Sequence, residues 1–294
     1  MKPIQFIELL VMASATLLTA TGAWARAGDV KRGEYISKAA GCLECHTEDA
    51  KGATPYAGGH ALKTPFGTFH GPNITPHHEA GIGKWTEADF LKALRHGKRP
   101  DGANYFPAFP YPSFTGMTDA DARDLFAYLR SLPPSAKASK AHDLKFPYNL
   151  RFGVSFWKML YFTPGPFTPD PKASAQINRG AYLSNALGHC GECHTARNVM
   201  GGPRGDRHFA GATAPDGKGV PNITPAALKK WRDKDFVDFL GSGITADGDE
   251  PAKAMGDVIR NTTSQLTAED LAAMIAYLKS LPAIESEKAP AKKR

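Results

Sequence analysis

The sequence predicts an all-α protein made of two tandem copies of one domain, and three observations carry this prediction. A helix with an N-cap at Thr118 and a second with an N-cap at Thr267 both end in Tyr-Leu-x-Ser-Leu-Pro. Segments of the first half of the chain recur about 148 residues later. The Gly/Pro-rich stretches between the helices, such as residues 55–72, show no helical period and are therefore predicted to be loops.

The internal repeat predicts the domain organisation. Arg32-Gly33-Glu34-Tyr35 returns as Arg179-Gly180-Ala181-Tyr182, and Asn73-Ile74-Thr75-Pro76 returns as Asn222-Ile223-Thr224-Pro225. A chain of 294 residues is long enough for two domains of ordinary size. The predicted parts are a signal peptide at 1–27, a first domain at 28–134, a linker strap at 135–175, a second domain at 176–283 and a polar tail at 284–294.

Each copy is predicted to hold two helices near its C-terminal end. The terminal helices follow the Thr118 and Thr267 caps, and a shorter helix precedes each of them. The shorter helix of the first copy runs from Thr86 to about Gly97, and that of the second copy ends near Gly241. Their apolar faces consist of Phe90, Leu91 and Leu94 in the first copy, and of Phe236, Val237 and Leu240 in the second.

All four cysteines lie in two C-x-x-C-H pentapeptides. Two cysteines three residues apart on a turn of helix project from one side, where their sulfurs can form thioethers with the two vinyl groups of one porphyrin. The histidine that follows can bind the iron as its proximal ligand. The predicted haem-binding residues are Cys42, Cys45 and His46, and Cys190, Cys193 and His194, with two covalently bound haem c groups as cofactors. A zinc site or a redox dithiol is the alternative, but neither gives a reason for the repeated histidine.

A haem protein that only transfers electrons usually has a methionine as the sixth iron ligand. Met255, which lies 61 residues after His194, is the methionine left for the second haem. Five other methionines are not expected to bind the second iron. Met1 and Met12 lie in the signal peptide, Met159 in the linker, Met200 in a Gly-rich turn and Met274 on the apolar face of the last helix.

Further segments of the chain resemble those of one family. They are Tyr56-Ala57-Gly58-Gly59, Thr64-Pro65-Phe66-Gly67-Thr68, Asn73-Ile74-Thr75-Pro76, Gly81-Ile82-Gly83 with Trp85, Cys193-His194-Thr195-Ala196-Arg197-Asn198 and Met255-Gly256-Asp257-Val258-Ile259. The chain resembles dihaem members of the cytochrome c family and is similar to the cytochrome c subunits of bacterial membrane-bound alcohol and sugar dehydrogenases. The resemblance implies two tandem class I-like cytochrome c domains with long haem-wrapping loops, and it also points to Met255. Those subunits typically carry three C-x-x-C-H motifs, whereas this chain has two.

The sequence leaves the sixth ligand of the first haem open. The spacing that selects Met255 leads to Phe109, where related subunits commonly read Pro-Ala-Met-Pro-Tyr, and phenylalanine cannot bind iron. Met117 lies nearby and either binds the iron or acts as a hydrophobic staple for the helix that follows Thr118. Without Met117 the first haem is either five-coordinate or bound by one of the histidines His60, His70, His77, His78 and His96.

The N-terminus has the pattern of an export signal. Lys2 precedes an apolar stretch from Ile4 to Ala20, and either Ala23-Trp24-Ala25 or Ala25-Arg26-Ala27 fits an A-x-A cleavage site. Glu8 interrupts the stretch, which disfavours a permanent transmembrane helix. We therefore expect a periplasmic protein, soluble or peripherally associated with the membrane. Loss of the signal lowers the formal net charge only from +7 to +6, because two basic residues leave with one acidic residue.

These features predict a protein that transfers electrons from a dehydrogenase to a downstream cytochrome or terminal oxidase and has no catalytic residues of its own. Redox partner proteins are expected, and nothing indicates nucleic-acid binding. The alternative is a dihaem peroxidase, in which one haem supplies electrons and an open first haem cleaves peroxide; Phe109 is its only support. Asn73 and Asn222 either bind haem propionates or form turns, and Arg197 can pair with a propionate.

Overall fold

The computed structural model describes residues 28–245, 248 and 251–287, so the predicted signal peptide and the end of the polar tail lie outside the described residues. Within those ranges no helix has the length and apolar character needed to cross a membrane. The α-helices are α1 (Val30–Ala39), α2 (Cys42–His46), α3 (Glu87–His96), α4 (Tyr111–Phe114), α5 (Asp119–Ser131), α6 (Phe152–Tyr161), α7 (Ala175–Tyr182), α8 (Gly191–His194), α9 (Pro225–Leu228), α10 (Asp233–Ser242), α11 (Lys253–Asn261) and α12 (Ala268–Ser280). A turn of π-helix over Leu183–Leu187 continues α7, and 3-10 turns cover Gly205–Arg207 and Thr263–Gln265.

Helix predominates, but two small antiparallel sheets are also present. The strands are β1 (Ala61–Thr64), β2 (Gly67–His70), β3 (Asp143–Leu144), β4 (Ala212–Thr213) and β5 (Gly219–Val220). β2 pairs with β1 and with β3 of the linker, while β4 pairs with β5. The all-α prediction was therefore too simple. Gly67, at φ +125°, allows the two-residue hairpin loop Pro65-Phe66 inside a stretch that the sequence indicated to be a loop.

The predicted terminal helices are confirmed down to their N-caps. The Thr118 hydroxyl oxygen accepts a hydrogen bond from the Asp121 backbone N–H at the start of α5. The Thr267 hydroxyl oxygen accepts from the Asp270 backbone N–H at the start of α12 in the same way. Each cap satisfies one of the free N–H groups at a helix start.

The shorter predicted helices are confirmed as α3 and α10. Thr86 and its N3 residue form a capping box at the start of α3, and the helix ends at Gly97 in the left-handed conformation. The counterpart α10 ends at Gly243, which has φ +83°, two residues beyond the predicted end near Gly241.

The glycines of the repeated Arg-Gly-x-Tyr segments lie at two close helix crossings. A Cβ atom added to Gly33 of α1 would lie 1.9 Å from the Asp124 carbonyl oxygen of α5. A Cβ atom added to Gly180 of α7 would lie 1.9 Å from the Ala273 carbonyl oxygen of α12. The N-terminal helix of each domain can therefore cross the C-terminal helix only where a glycine stands.

One hydrophobic core is shared by both domains. Ile36 and Leu125 from the first domain are buried in the same cluster as Leu187 and Met274 from the second. Cys42 and Cys190 both border this cluster. A further cluster around Phe209, Phe236 and Ile275 belongs to the second domain alone. The two C-x-x-C-H motifs therefore flank a common core.

The linker contacts both domains. Lys158 of α6 donates hydrogen bonds to the carbonyl oxygens of His96 and Gly97 in the first domain. Tyr161, at the end of α6, accepts a hydrogen bond from the Asn198 side chain in the second domain. Since β3 also joins the sheet of the first domain, the linker is bound along much of its length.

Candidate functional site

Each C-x-x-C-H motif forms a short helical turn directly after the N-terminal helix of its domain. α2 contains the whole first motif, whereas Cys190 is the N-cap of α8. Gly41 with φ +60° turns the chain into α2, and His189 with φ +40° stands at the corresponding place before Cys190. All four thiols are free of disulfide bonds. Burial raises the pKa of the Cys42 and Cys190 thiols to about 12.

Both predicted proximal histidines are oriented by a backbone carbonyl. Nδ1 of His46 lies 2.7 Å from the Pro72 carbonyl oxygen, and Nδ1 of His194 lies 2.7 Å from the Pro221 carbonyl oxygen. Because a carbonyl only accepts, Nδ1 carries the proton and Nε2 keeps its lone pair for a metal. Burial lowers the pKa of both imidazoles, which favours the neutral form that binds iron.

The two proline carbonyls were not predicted, although the repeat contains a signal for them. Pro72 and Pro221 directly precede the repeated Asn-Ile-Thr-Pro segments. Within those segments the side-chain oxygens of Asn73 and Asn222 accept from the backbone N–H and hydroxyl of the threonine two residues later. Their amide nitrogens donate to carbonyls of the segment that follows the terminal helix of each domain. The turn interpretation of these asparagines is therefore what the structure shows.

Met255 is placed beside the second motif. It lies in the first turn of α11, is half-buried and packs against the cluster formed by Phe209, Phe236 and their neighbours. Cys190 borders the same cluster. The structure thus brings a thioether sulfur and the second C-x-x-C-H motif to one hydrophobic region.

The corresponding region of the first domain is aromatic. Phe109 packs against the shared core that Cys42 borders, and its ring centroid lies 5.3 Å from that of Tyr105 and 5.8 Å from that of Phe114. Met117 is 1% exposed and directly precedes the Thr118 cap. Its counterpart before the Thr267 cap is Leu266, which packs against the same core.

The candidate histidines of the first domain have diverse surroundings. His77 Nδ1 accepts backbone hydrogen bonds within its own turn, His78 pairs with Glu79, and His96 is exposed at the end of α3. His70 is buried, and its Nδ1 has no hydrogen-bond partner in the part of the chain that the structure describes. Among the described residues no group of three or more His, Cys, Asp or Glu side chains is assembled for a metal ion.

Each haem motif also contacts the other domain, which the sequence did not reveal. Glu44 of the first motif accepts a hydrogen bond from the Thr262 hydroxyl at 3.2 Å, at the end of α11. Glu192 of the second motif accepts from the Ser113 hydroxyl at 3.1 Å, in α4. Glu192 also forms an ion pair with Arg197, so the guanidinium predicted to face a propionate is engaged within the protein. Burial raises the pKa of Glu44 to about 7.

A second pair of contacts crosses between the domains and explains the tyrosine of the Arg-Gly-x-Tyr repeat. The Tyr35 hydroxyl donates to Asp270 Oδ2 at 2.5 Å, and the Tyr182 hydroxyl donates to Asp121 Oδ2 at 2.6 Å. Each aspartate is also bound by the arginine of its own domain: Arg179 bonds to Asp270 and Arg32 to Asp121. The domains therefore exchange the same contact in both directions.

The fold and the two motifs define the protein class. The family model for cytochrome c matches residues 30–133 and 177–282. The chain belongs to the cytochrome c family and contains two cytochrome c domains in tandem.

Several curated relatives are similar over most of this chain. A protein named diheme cytochrome c-type from Cereibacter sphaeroides is 47% identical over 262 residues, which are 88% of this chain and 88% of the relative. The cytochrome c subunit of alcohol dehydrogenase (quinone) from Gluconobacter oxydans is 38% identical over 88% of this chain and 56% of the relative. The fructose dehydrogenase cytochrome subunit from Gluconobacter japonicus is 38% identical over 90% of this chain and 54% of the relative. The chain thus spans little more than half the length of these two dehydrogenase subunits.

The tandem domains and the similarity to a diheme cytochrome establish two covalently bound haem c groups as the cofactors. The residues present fit these groups. Two pairs of free thiols are available for thioether bonds, and each pair is followed by an imidazole whose Nδ1 is already bonded to a carbonyl. This set of donors matches haem c attachment and proximal ligation at both motifs.

Proposed function

We propose that this chain is a periplasmic electron-transfer protein that accepts electrons from a dehydrogenase and passes them to a downstream cytochrome or a terminal oxidase. The observation that carries the proposal is the duplicated Cys-x-x-Cys-His turn with its carbonyl-oriented imidazole. The bound haem supplies one-electron oxidation and reduction at iron. The relatives named as cytochrome subunits of alcohol and fructose dehydrogenases support a dehydrogenase as the donor.

The proposal gives each site residue a role. Cys42 and Cys45 bind the first haem and Cys190 and Cys193 the second, with His46 and His194 as the proximal iron ligands. The Pro72 and Pro221 carbonyls keep both imidazoles in the tautomer that presents Nε2. Met255 is the sixth ligand of the second haem. Ligation of the first haem by Met117 stays a prediction. Met117 occupies the same position before its helix cap as Leu266, and this supports its role as a hydrophobic staple instead.

Two matched substitutions test the methionine roles. We expect Met255→Leu to abolish the long-wavelength methionine-to-iron(III) charge-transfer band and to lower the reduction potential of one haem, because methionine ligation raises the potential. Met117→Leu should leave the band unchanged if Met117 packs against the core as Leu266 does. An unchanged spectrum in Met255→Leu would contradict the assignment of the second haem.

The electron-transfer role is tested with the holoprotein purified from native membranes together with any dehydrogenase bound to it. Adding the substrate of that dehydrogenase without oxygen should reduce both haems, and adding an oxidised downstream cytochrome should reoxidise them. The His194→Ala variant should lose the low-spin spectrum of the second haem. Failure of every co-purified dehydrogenase to reduce the haems would refute the proposal.

A dihaem peroxidase is the second candidate, and the surroundings of Phe109 favour it. The side chain at the position of the expected ligand is a phenylalanine packed among aromatic rings beside the Cys42 region. An iron left open there can bind a small ligand. Carbon monoxide should then bind rapidly to about half of the reduced haem, and peroxide should be turned over. If neither reaction occurs, the peroxidase function is rejected and electron transfer is the remaining candidate.

Export and peripheral membrane association complete the proposal. The export signal is supported by the sequence pattern of residues 1–27. Membrane association is supported by α6, which turns the apolar side chains Phe152, Phe156, Met159 and Leu160 toward solvent. The linker from 135 to 175 holds six Lys or Arg and two Asp residues, a balance suited to anionic lipid headgroups.

A further inference from the structure

The helix that carries Met255 is attached to the other domain at both of its ends. At its start, the ammonium of Lys253 lies 3.0 Å from the Asp49 carboxylate, three residues after the first haem motif. At its end, Thr262 caps α11 and donates its hydroxyl hydrogen to Glu44 inside that motif. The first haem motif and the distal helix of the second haem are therefore in direct contact.

The two attachments differ in strength. Asp49 and Lys253 are 72% and 73% exposed, so their ion pair is screened by water and salt and contributes little. Thr262 is 5% exposed and Glu44 is half-buried, so their hydrogen bond is shielded from water. Glu44 is the main attachment.

We infer that Glu44 is a positioning residue for the second haem: by binding Thr262 it fixes α11 so that Met255 reaches the iron. Ligation at the second haem then depends on the attachment segment of the first. The inference rests on the proposed role of Met255. It adds a residue of the opposite domain to the structure that supports this ligand.

The molecule contains its own control for this inference. The equivalent contact in the other direction joins Glu192 of the second motif to Ser113 of α4. The segment that precedes α4 contains Phe109. This phenylalanine stands at the position where the spacing from the proximal histidine would place the sixth iron ligand. Removing the Ser113 contact therefore disturbs the same kind of attachment without a methionine at that position.

The test uses the holoprotein with both haems, in which Met255→Leu identifies the methionine-to-iron band of the second haem. We expect Glu44→Ala to lose at least half of this band at neutral pH and to lower the potential of the second haem. Glu44→Gln should retain the band, because the amide oxygen still accepts from Thr262. Thr262→Val should reproduce the loss, and Asp49→Asn should have a smaller, salt-dependent effect. Ser113→Ala should keep the full band.

Haem content is measured for every variant, so that loss of the band is compared only between fully loaded proteins. If Glu44→Ala is not matured, Thr262→Val and Glu44→Gln provide the comparison. A wild-type band and potential in fully loaded Glu44→Ala and Thr262→Val would overturn the inference. If instead Met255→Leu leaves the spectrum unchanged, the assignment of Met255 itself is wrong, and the positioning role falls with it.

Discussion

The hydroxyl groups of Tyr35 and Tyr182 each make two hydrogen bonds to the other domain. Each hydroxyl donates to an aspartate of the other domain and also accepts from the backbone N–H of the threonine that caps the same helix. One atom therefore binds a buried carboxylate and satisfies a free N–H at a helix start. Burial and the hydrogen bond to Asp270 raise the pKa of Tyr35 to about 12, so the hydroxyl stays protonated at neutral pH.

We expect Tyr35→Phe and Tyr182→Phe each to lower the free energy of unfolding by about 1–3 kcal/mol, because a hydrogen bond to a charged group is lost. Denaturant unfolding of the holoprotein measures this. Tyr148→Phe is the matched control, since Tyr148 is 49% exposed and its ring contacts only Phe66 among the aromatic contacts described. Equal stability of all three variants would show that the domain contact contributes nothing.

Glycines at the helix crossings determine how the N-terminal and C-terminal helices of each domain pack. Gly33 and Gly180 let α1 approach α5 and α7 approach α12 more closely than any side chain would permit. The arginine and tyrosine on either side of each glycine are then brought to the aspartates that they bind. The packing distance and the polar contacts are therefore set by the same Arg-Gly-x-Tyr segment.

We expect Gly33→Ala and Gly180→Ala to lower the free energy of unfolding by about 1–3 kcal/mol, since overpacking of a tight contact has this order of cost. Gly153→Ala is the control, because nothing lies within 4 Å of a Cβ atom at Gly153 in α6. There alanine should stabilise the helix by about 0.5–1 kcal/mol. Thermal unfolding followed by circular dichroism distinguishes the two cases; a stable Gly33→Ala protein would contradict the packing argument.

The outward face of α6 predicts binding to lipid vesicles. Phe152 and Phe156 are 78% and 53% exposed, and burying two phenylalanine side chains is worth several kcal/mol. Phe152→Ser with Phe156→Ser should therefore weaken binding to vesicles containing phosphatidylglycerol about tenfold or more. Val237→Ser, at an exposed apolar residue outside the linker, should change nothing. Wild-type protein that does not sediment with these vesicles would refute membrane association through α6.

The elements that the sequence predicted correctly have strong local signals. α5 and α12 follow threonine caps whose side chains make the expected bonds, and α3 ends at a left-handed glycine. α6 was missed because residues 156–162 form an almost continuous apolar run, in which hydrophobic periodicity cannot distinguish a helix from other structure. The C-x-x-C-H turns were visible because covalent attachment requires a fixed spacing. The contacts of Glu44 and Tyr35 were not, since they join residues more than 200 positions apart.

At the scale of the whole molecule, paired carboxylates predict sensitivity to acid. Burial opposes ionisation of Asp270, but hydrogen bonds from Arg179 and Tyr35 outweigh it and hold the pKa of this carboxyl below its usual value. A depressed pKa stabilises the fold above the ordinary aspartate pKa of about 4. That stabilisation is lost as the pH falls through the lower pKa of the folded state.

We therefore expect the wild-type free energy of unfolding to fall more steeply with decreasing pH below about 4 than that of Asp270→Asn, which has no proton to gain at this position. Urea unfolding at several pH values between about 5 and 3 measures the difference. Asp143→Asn, at an exposed residue of β3, is the control for the chemical change itself. Parallel curves for Asp270→Asn and wild type would show that this carboxyl is not linked to stability.

The reciprocal exchange between Tyr35 with Asp270 and Tyr182 with Asp121 is the contact pattern of an isologous homodimer. Here the two domains that correspond to the protomers belong to one polypeptide, so their association is intramolecular and independent of protein concentration. Dilution of the protein cannot separate the redox centres. The linker thereby fixes the ratio of the two haems at one to one. Because the duplicated halves have diverged in sequence, the two haems no longer need to be alike.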